Sequence, residues 1–123
     1  MINRIIAALK SREIVTTNLD VMSGGSSAEV FRLFNKANVF LPAVVGSAKL
    51  AILAEAVILP WSNRRDEHNR LVLKFENPIV PGEQTNGLAE ELCRLLEKWI
   101  LENPEQWIYW DRFQKRLLND ETS

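Results

Sequence analysis

The apolar stretch over residues 39–60 constrains the fold of this chain more than any other segment. It is interrupted by a proline, a glycine and two charged residues, namely Pro42, Gly46, Lys49 and Glu55. A membrane-spanning helix needs about 20 consecutive apolar residues, so we expect this stretch to be buried in a folded protein and not to cross a bilayer. Pro42 precedes a predicted Ala-rich helix over residues 44–56, apolar nearly all round and therefore expected to be buried. Residues 57–60 then predict a buried strand.

The composition indicates a soluble globular protein of one domain. The chain has 123 residues, 46% of them hydrophobic and 25% charged, which allows a real core and excludes a disordered or fibrous protein. The formal net charge of -1 provides no overall basic field for nucleic acid, so no nucleic-acid partner is expected. Cys93 is the only cysteine. It excludes a disulfide within the chain, is expected to be a core or boundary thiol, and favours a reducing compartment, the cytoplasm.

Hydrophobic periodicity predicts an α/β order of elements. The N-terminal residues predict an amphipathic helix and not a signal peptide, and this first helix is expected to end near Ser11. Strands are predicted where the chain is β-branched or alternates, at residues 13–17, 30–34, 39–41, 57–60 and 71–76. Between them we expect a Gly- and Ser-rich loop, a turn and a polar hinge, at residues 23–27, 35–38 and 62–69. The fold class predicted from this order is α/β, with a small mixed sheet of about four strands covered by helices.

The C-terminal third predicts a long helix followed by an aromatic segment. The core stripe of the long helix consists of Leu88, Leu92, Leu95, Leu96 and Trp99, and Glu90 and Arg94 form an outer pair four residues apart. Asn103 is predicted as the N-cap of a last helix, with Pro104 as its first residue and the Gln106 side chain reaching back to the Asn103 amide. Trp107, Trp110 and Phe113 are expected on one side of that helix.

This C-terminal segment resembles a known family. It reads Asn103-Pro104-Glu105-Gln106-Trp107-Ile108-Tyr109-Trp110 and is followed by Arg112. The Pro-Glu-Gln-aromatic-x-x-Trp pattern after a long helix is similar to the end of the lipid A biosynthesis (lauroyl/myristoyl) acyltransferases, a group of the lysophospholipid acyltransferase superfamily. The family-motif residues are thus Pro104, Glu105, Gln106, Trp107, Trp110 and Arg112. With weaker upstream matches in the same order, the resemblance covers about residues 2–117. It implies that residues 1–123 are a single, partial acyltransferase-like domain corresponding to the C-terminal part of these enzymes.

The resemblance implies transfer of a fatty acyl group from an acyl thioester to a hydroxyl of a membrane glycolipid or phospholipid. The implied partners are an acyl-carrier-protein or acyl-CoA donor, a lipid acceptor and the inner-membrane surface, on which the protein would be peripheral. No cofactor is expected, because the thioester is a substrate.

The chain departs from the family in its catalytic motif. Family members carry His-x-x-x-x-Asp, in which the His is the general base and the Asp orients it. The only histidine here is His68, and the fifth residue after it is Leu73. No catalytic residue is therefore assigned, and we expect no activity of the chain alone. The dyad would come from an upstream segment lost by truncation or from a separate chain. Two alternatives stay open: a non-catalytic relic that binds lipid or protein, and a different α/β family that shares the motif by chance.

Three residues are candidates for substrate binding. Asp20 ends a predicted strand before the Gly-rich loop. The resemblance implies that this loop helps to form the acceptor or phosphate-binding side of the active site, where backbone amides can hold an anion; alternatively, Asp20 simply initiates a turn. Arg64 and Arg65, with Arg70 nearby, either bind a phosphate of the acceptor or belong to a solvated loop of mixed charge. Arg112 and its basic neighbours beside the Trp stripe suit an anionic membrane surface, although the same stripe would also close the core. One His and one Cys give no support for a metal site.

Overall fold

The computed structural model describes residues 2–20, 31–82, 85–107, 110 and 113–115, the side chains at 85 and 86 excepted. The helices are α1 (Ile2–Lys10), α2 (Pro42–Ala54), α3 (Thr85–Glu102) and a short 3-10 helix (Pro104–Gln106), and the strands are β1 (Phe31–Leu33), β2 (Ala37–Val39), β3 (Trp61–Arg65) and β4 (Leu71–Phe75). The predicted Gly-rich loop at residues 23–27 lies outside the described residues.

The core lies between the first strand pair and two helices. Helix α2 packs against α3, α1 packs against α2, and β1 contacts α3. Among the most deeply buried side chains are Leu33 from β1, Val44 from α2, and Leu92 and Cys93 from α3. The predicted stripe of α3 is confirmed at Leu88, Leu92 and Leu96, whereas Leu95 and Trp99 are only half-buried. The predicted outer pair also forms, with Arg94 Nε 2.9 Å from Glu90 Oε1.

The predicted α/β class is confirmed, and in the described residues the four strands are divided between two antiparallel hairpins. Strand β1 pairs with β2, with Phe31 opposite Val39, and β3 pairs with β4, with Trp61 opposite Phe75. Each strand therefore pairs with its neighbour in sequence, and the expected single mixed sheet does not form among these residues. The loops are short enough for this local pairing, which closes each hairpin at the lowest entropic cost.

Backbone hydrogen bonds end both of the first two helices in the same way. Arg12 and Glu55 take the left-handed conformation, with φ of 65° and 51°. The next residue donates back across the turn: the N–H of Glu13 to the carbonyl of Ala8 at 3.0 Å, and that of Ala56 to Ala51 at 2.9 Å. This is the Schellman arrangement, which satisfies carbonyls that the last helical turn leaves unpaired. It ends α2 two residues before the predicted end at residue 56.

The strand predicted at residues 13–17 is wrong. These residues form neither helix nor strand, and the Ile14 side chain is 91% exposed. A β-branched run favours an extended chain, but a strand exists only where a partner supplies hydrogen bonds. Among the described residues the contact in this region is made by a side chain, with Thr17 Oγ1 2.9 Å from Ser47 Oγ of α2.

The strand assignments around residue 60 also need correction. The predicted buried strand at residues 57–60 is reduced to one bridge between Ile58 and Ile79, and Val57 and Leu59 are 58% and 51% exposed. The real strand, β3, begins at Trp61 and occupies half of the predicted polar hinge. Its sequence, WSNRR, is polar, so local hydrophobicity did not reveal it. Pairing with β4 decides its conformation, because cross-strand hydrogen bonds do not depend on side-chain polarity.

The turn of the first hairpin lies at residues 34–36, one to two residues before the predicted turn at 35–38. Phe34 and Asn35 both have a φ of 55°, which L-residues rarely adopt. The N–H of Phe34 donates to Glu97 Oε1 of α3 at 2.6 Å. The hairpin tip is thus held by the long helix, in a conformation that a short loop requires.

Candidate functional site

A cleft of about 820 Å³ lies between the helices and the second hairpin. It is lined by parts of α1, α2, β3 and β4, by one side of α3 from Leu92 onwards, and by residues 12–20 and 56–60. Its floor includes Ala51, Leu92 and Leu96, which are buried core residues. The volume falls within the range of small-molecule sites, about 300–1,000 Å³. The cleft is therefore large enough for a ligand with a substantial apolar part.

Two of the three predicted substrate-binding residues line this cleft. Asp20 lies at the end of the segment that follows α1, and Arg64 lies on β3. Asp20 is half-buried and Arg64 is exposed, so the cleft combines an apolar floor with charged groups of both signs. A carboxylate and a guanidinium in one cleft can orient the polar part of an amphiphilic ligand.

Arg65 is placed differently from Arg64. Arg65 is not among the described residues that line the cleft. Its Nη1 donates to the carbonyl oxygen of Asn69 in the β3–β4 loop at 3.2 Å. Successive side chains of a strand point to opposite faces, and the bond to Asn69 keeps the Arg65 guanidinium at the loop. The structure therefore brings Asp20 and Arg64 to one cleft and leaves the Arg65 guanidinium on the hairpin.

Arg70 belongs to a loop built around Asp66. Asp66 Oδ1 accepts from the N–H groups of Arg70 and His68 at 2.8 and 2.9 Å, and Oδ2 accepts from Arg70 Nε at 2.9 Å. The N–H of Arg70 is the main cause that lowers the pKa of the Asp66 carboxyl, and its guanidinium, the His68 N–H and the charge of Arg64 lower it further. The carboxylate thus organises the turn, with Asn69 left-handed at a φ of 59°.

His68 lies at the tip of the second hairpin. Its Nε2 is 3.7 Å from Glu67 Oε1, and its side chain is 67% exposed. It is not among the described residues that line the cleft. The described residues also contain no group of three or more His, Cys, Asp and Glu side chains that could hold a metal ion. Of the helices in the same residues, none is long and apolar enough to span a membrane.

The C-terminal motif joins two parts of the fold. Pro104–Gln106 is a 3-10 helix in which Asn103 makes no side-chain cap, so the predicted capping is wrong. The Gln106 carboxamide instead bonds the backbone of Arg65, at 2.8 Å from its N–H and 3.0 Å from its carbonyl oxygen. Glu105 is exposed, and Arg112 lies outside the described residues. The motif thus connects the end of α3 with β3, because β3 passes within reach of a side chain 41 residues away in sequence.

The motif tryptophans form a ring cluster with the tip of the first hairpin. The Trp107 and Trp110 centroids are 4.6 Å apart, and Phe34 stacks on Trp110 at 5.9 Å. Phe113 completes the cluster, and both it and Trp107 are buried. The Trp110 indole N–H donates to the carbonyl of Pro104. Trp107, which also lines the cleft, has a buried indole N–H without a partner among the described residues.

A charged group that sequence reasoning missed joins β4 to α3. Lys74 Nζ is 3.7 Å from Glu76 Oε1 and 3.6 Å from Glu102 Oε1, and Lys98 Nζ is 3.5 Å from Glu76 Oε1. The indole N–H of Trp99 donates to Glu76 Oε1 at 3.1 Å and is the main cause that lowers the pKa of Glu76, helped by the two lysines. The spacing of Lys98 and Glu102 on one helix face is a local signal for this group, whereas its contacts between β4 and α3 depend on the tertiary fold.

Comparison with known proteins identifies the family. The model of the bacterial lipid A biosynthesis acyltransferases matches residues 1–119. No curated protein and no solved structure matches the chain. The family match covers nearly the whole sequence, so the resemblance carried by the Pro104–Trp110 segment is confirmed and an unrelated α/β family is excluded. With its cleft and its C-terminal motif, this chain belongs to the bacterial lipid A biosynthesis acyltransferase family.

Proposed function

We propose that this chain forms the substrate-binding part of an acyltransferase that moves a fatty acyl group from an acyl thioester to a hydroxyl of a membrane glycolipid or phospholipid. The donor is an acyl-carrier-protein or acyl-CoA thioester. Membership in the lipid A biosynthesis family supports the reaction class. The observation that carries the proposal is the 820 Å³ cleft, whose floor is apolar and whose lining includes Asp20 and Arg64. Such a cleft suits an acyl chain attached to a polar group.

The reaction needs a group that the described cleft does not supply. The acceptor hydroxyl attacks the thioester carbonyl, an ester C–O bond forms, the C–S bond breaks, and the hydroxyl proton passes through a base to the leaving thiolate. The chain has one histidine, and His68 is exposed at a hairpin tip away from the described cleft residues. We therefore propose that the chain alone has no turnover and that a His-x-x-x-x-Asp segment or chain supplies the dyad.

Arg64 is the residue we assign to the acceptor. A guanidinium at a cleft can bind a phosphate of the acceptor through two parallel hydrogen bonds. Asp20 is assigned to orienting the polar part of the same ligand, and Arg65 to supporting the position of Arg64, because its own guanidinium bonds within the hairpin loop. The three substrate-binding candidates thus take two direct roles and one indirect role.

Peripheral binding to the cytoplasmic face of the inner membrane is part of the proposal. One face of the second hairpin exposes Leu71, Leu73 and Phe75, and Trp61 opposite Phe75 is also exposed. Trp61 and Phe75 also border the cleft. Apolar and aromatic side chains on one face favour insertion at a membrane interface. A membrane-bound acceptor would then reach the cleft beside this hairpin.

The alternative is a non-catalytic relic of the family that binds lipid or protein. It is favoured by the same placement of His68, because the one imidazole of the chain is outside the described cleft lining. The enzyme and a lipid-binding relic both predict lipid binding, whereas only the enzyme predicts turnover when the missing dyad is supplied.

The experiment measures binding and turnover separately. Binding of a lysophospholipid below its micellar concentration is followed by calorimetry, and acyl transfer is assayed with dodecanoyl-acyl-carrier-protein and dodecanoyl-CoA donors. We expect binding by the native chain without turnover. Loss of the Arg64 hydrogen bonds to phosphate in Arg64→Ala should weaken binding about 10- to 100-fold. Arg4→Ala, a matched change on the exposed face of α1, should leave binding unchanged.

Two results would contradict the proposal. If neither donor nor lysophospholipid binds, the cleft is not a substrate site. Turnover by the chain alone that His68→Ala abolishes would show that the histidine at the hairpin tip is the base after all. Addition of a protein segment that carries His-x-x-x-x-Asp separates the enzyme from the relic, because only the enzyme gains turnover.

A further inference from the structure

We propose that Gln106 is a positioning residue of the cleft: its carboxamide pairs with the backbone of Arg65 and holds the β3–β4 hairpin in place as a wall of the cleft. The consequence for ligand binding rests on the proposed function, because it assumes that a lipid substrate occupies the cleft. The pairing itself rests on geometry alone.

The Gln106 side chain satisfies both backbone groups of one residue. Its Oε1 accepts from the N–H of Arg65 at 2.8 Å, and its Nε2 donates to the carbonyl oxygen of Arg65 at 3.0 Å. A neighbouring strand bonds a residue in the same way, through one donor and one acceptor. The carboxamide therefore acts as one residue of an additional strand at the end of β3. The carboxamide of glutamine or asparagine places a neutral donor and a neutral acceptor side by side at neutral pH.

The backbone of Gln106 is itself well anchored. Its N–H donates to the carbonyl of Asn103 at 3.1 Å, within the 3-10 helix that follows α3. The next residue, Trp107, is buried in the ring cluster with Phe34 and Trp110. A side chain that extends from such a rigid support loses little further freedom when it bonds, so both hydrogen bonds are retained at low entropic cost.

The second hairpin has few other attachments to the rest of the described chain. At the end near Phe75, Glu76 accepts from the Trp99 indole, and Lys74 lies close to Glu102. On one face of the hairpin Leu71 and Leu73 remain exposed, so apolar packing does not fix that side. At the opposite end of the hairpin, next to the Asp66 loop, the Gln106 side chain bonds the backbone of Arg65. An element held by a few polar contacts opens locally at low free energy, which makes each contact important for its position.

Arg65, whose backbone Gln106 bonds, is the sequence neighbour of Arg64, which lines the cleft. Arg64 and Arg65 are consecutive on β3 and point to opposite faces. When the Arg65 backbone is held, the Arg64 guanidinium is confined to the cleft side of the strand. Gln106 also lines the cleft itself. The glutamine of the C-terminal motif thus couples the end of α3 to the position of the proposed phosphate-binding arginine.

Hydrogen exchange of the full chain tests the pairing. In Gln106→Ala the amides of residues 61–75 should exchange about tenfold faster or more, because two hydrogen bonds to β3 are lost. Exchange in α3 and in the β1–β2 hairpin should not change. Gln106→Glu retains an acceptor for the Arg65 N–H but loses the donor at neutral pH, so an intermediate effect is expected. Gln114→Ala, a matched change at an exposed glutamine, should exchange like the native chain.

Lysophospholipid binding by the same variants tests the positioning role. We expect Gln106→Ala to bind at least threefold more weakly, Gln106→Glu to lie between it and the native chain, and Gln114→Ala to bind normally. Unchanged exchange at residues 61–75 in Gln106→Ala would overturn the pairing. Faster exchange with unchanged binding, or loss of protection throughout the chain, would overturn the positioning role. Faster exchange in a protein whose native form binds no lipid would leave the pairing intact and refute the proposed function instead.

Discussion

Replacing Trp107 by alanine should destabilise the protein more than any change at its aromatic neighbours. Trp107 is 8% exposed, and its ring lies 4.6 Å from Trp110, 6.2 Å from Phe113 and 6.3 Å from Phe34, centroid to centroid. Burying about 150–250 Å² of a tryptophan contributes roughly 4–6 kcal/mol as an upper bound. Loss of this one residue would therefore loosen both the hairpin tip and the end of α3.

One feature of Trp107 reduces that value. Its indole N–H is buried without a partner among the described residues, and such a group costs about 1–3 kcal/mol. Removing the whole side chain removes this cost as well, so we expect Trp107→Ala to lose about 3 kcal/mol, within the usual range of about 3–5 kcal/mol for such truncations. That is a large part of the roughly 5–15 kcal/mol by which a domain is stable.

Urea unfolding followed by circular dichroism measures these losses. With an m value of about 1–3 kcal/mol/M, the midpoint of Trp107→Ala should fall by roughly 1–3 M. Trp107→Phe keeps a ring and removes the unpaired N–H, so its loss should stay below about 1.5 kcal/mol. Trp110→Ala should cost less than Trp107→Ala, because Trp110 is only half-buried.

Two results would refute this reasoning. Unchanged midpoints for both alanine variants would show that the ring cluster does not stabilise the fold. A loss in Trp107→Phe as large as in Trp107→Ala would show that the unpaired N–H has no cost and that the shape of the indole decides packing.

Three further predictions follow from individual side chains. The lowered pKa of Asp66 means that its contribution to stability is present above the ordinary value of 3.8 and is lost as the pH falls through the lowered pKa. Acid titration followed by hydrogen exchange of the second hairpin should show this loss. Asp66→Asn should reduce the pH dependence, and the remainder comes from Glu76, whose pKa is also lowered. Burial raises the pKa of Cys93 from 9.0 to about 11, so iodoacetamide should alkylate this thiol slowly at pH 8 in the folded protein and rapidly in urea. The contribution of the protonated thiol to stability should be lost between about pH 9 and 11. Fast alkylation of the folded protein would contradict the burial of Cys93. Leu73 is 50% exposed, so Leu73→Lys should change the unfolding free energy by no more than about 0.5 kcal/mol. The same variant should bind liposomes more weakly. Unchanged liposome binding would exclude this face as the membrane contact.

Helices were the part of the fold that periodicity could predict. The stripe of α3, the bounds of α1 and the existence of α2 depend on residues three and four apart, which contact each other within one element. The burial of the single cysteine and the family motif at Pro104–Trp110 were also predicted from the sequence. Asp20 and Arg64 line one cleft, and their role in substrate binding stays a prediction.

Strand pairing and side-chain contacts could not be predicted in the same way. Polar β3 is a strand because β4 lies beside it, and residues 13–17, with a more strand-like sequence, have no strand partner among the described residues. Gln106 satisfies Arg65 rather than capping its own helix, and Glu76 meets the indole of Trp99. Each of these contacts joins residues far apart in sequence, so its free energy depends on where the chain returns in space. Short-range patterns determine helices, whereas strand partners, exposed faces and the walls of the cleft are decided by which segments the tertiary fold brings together.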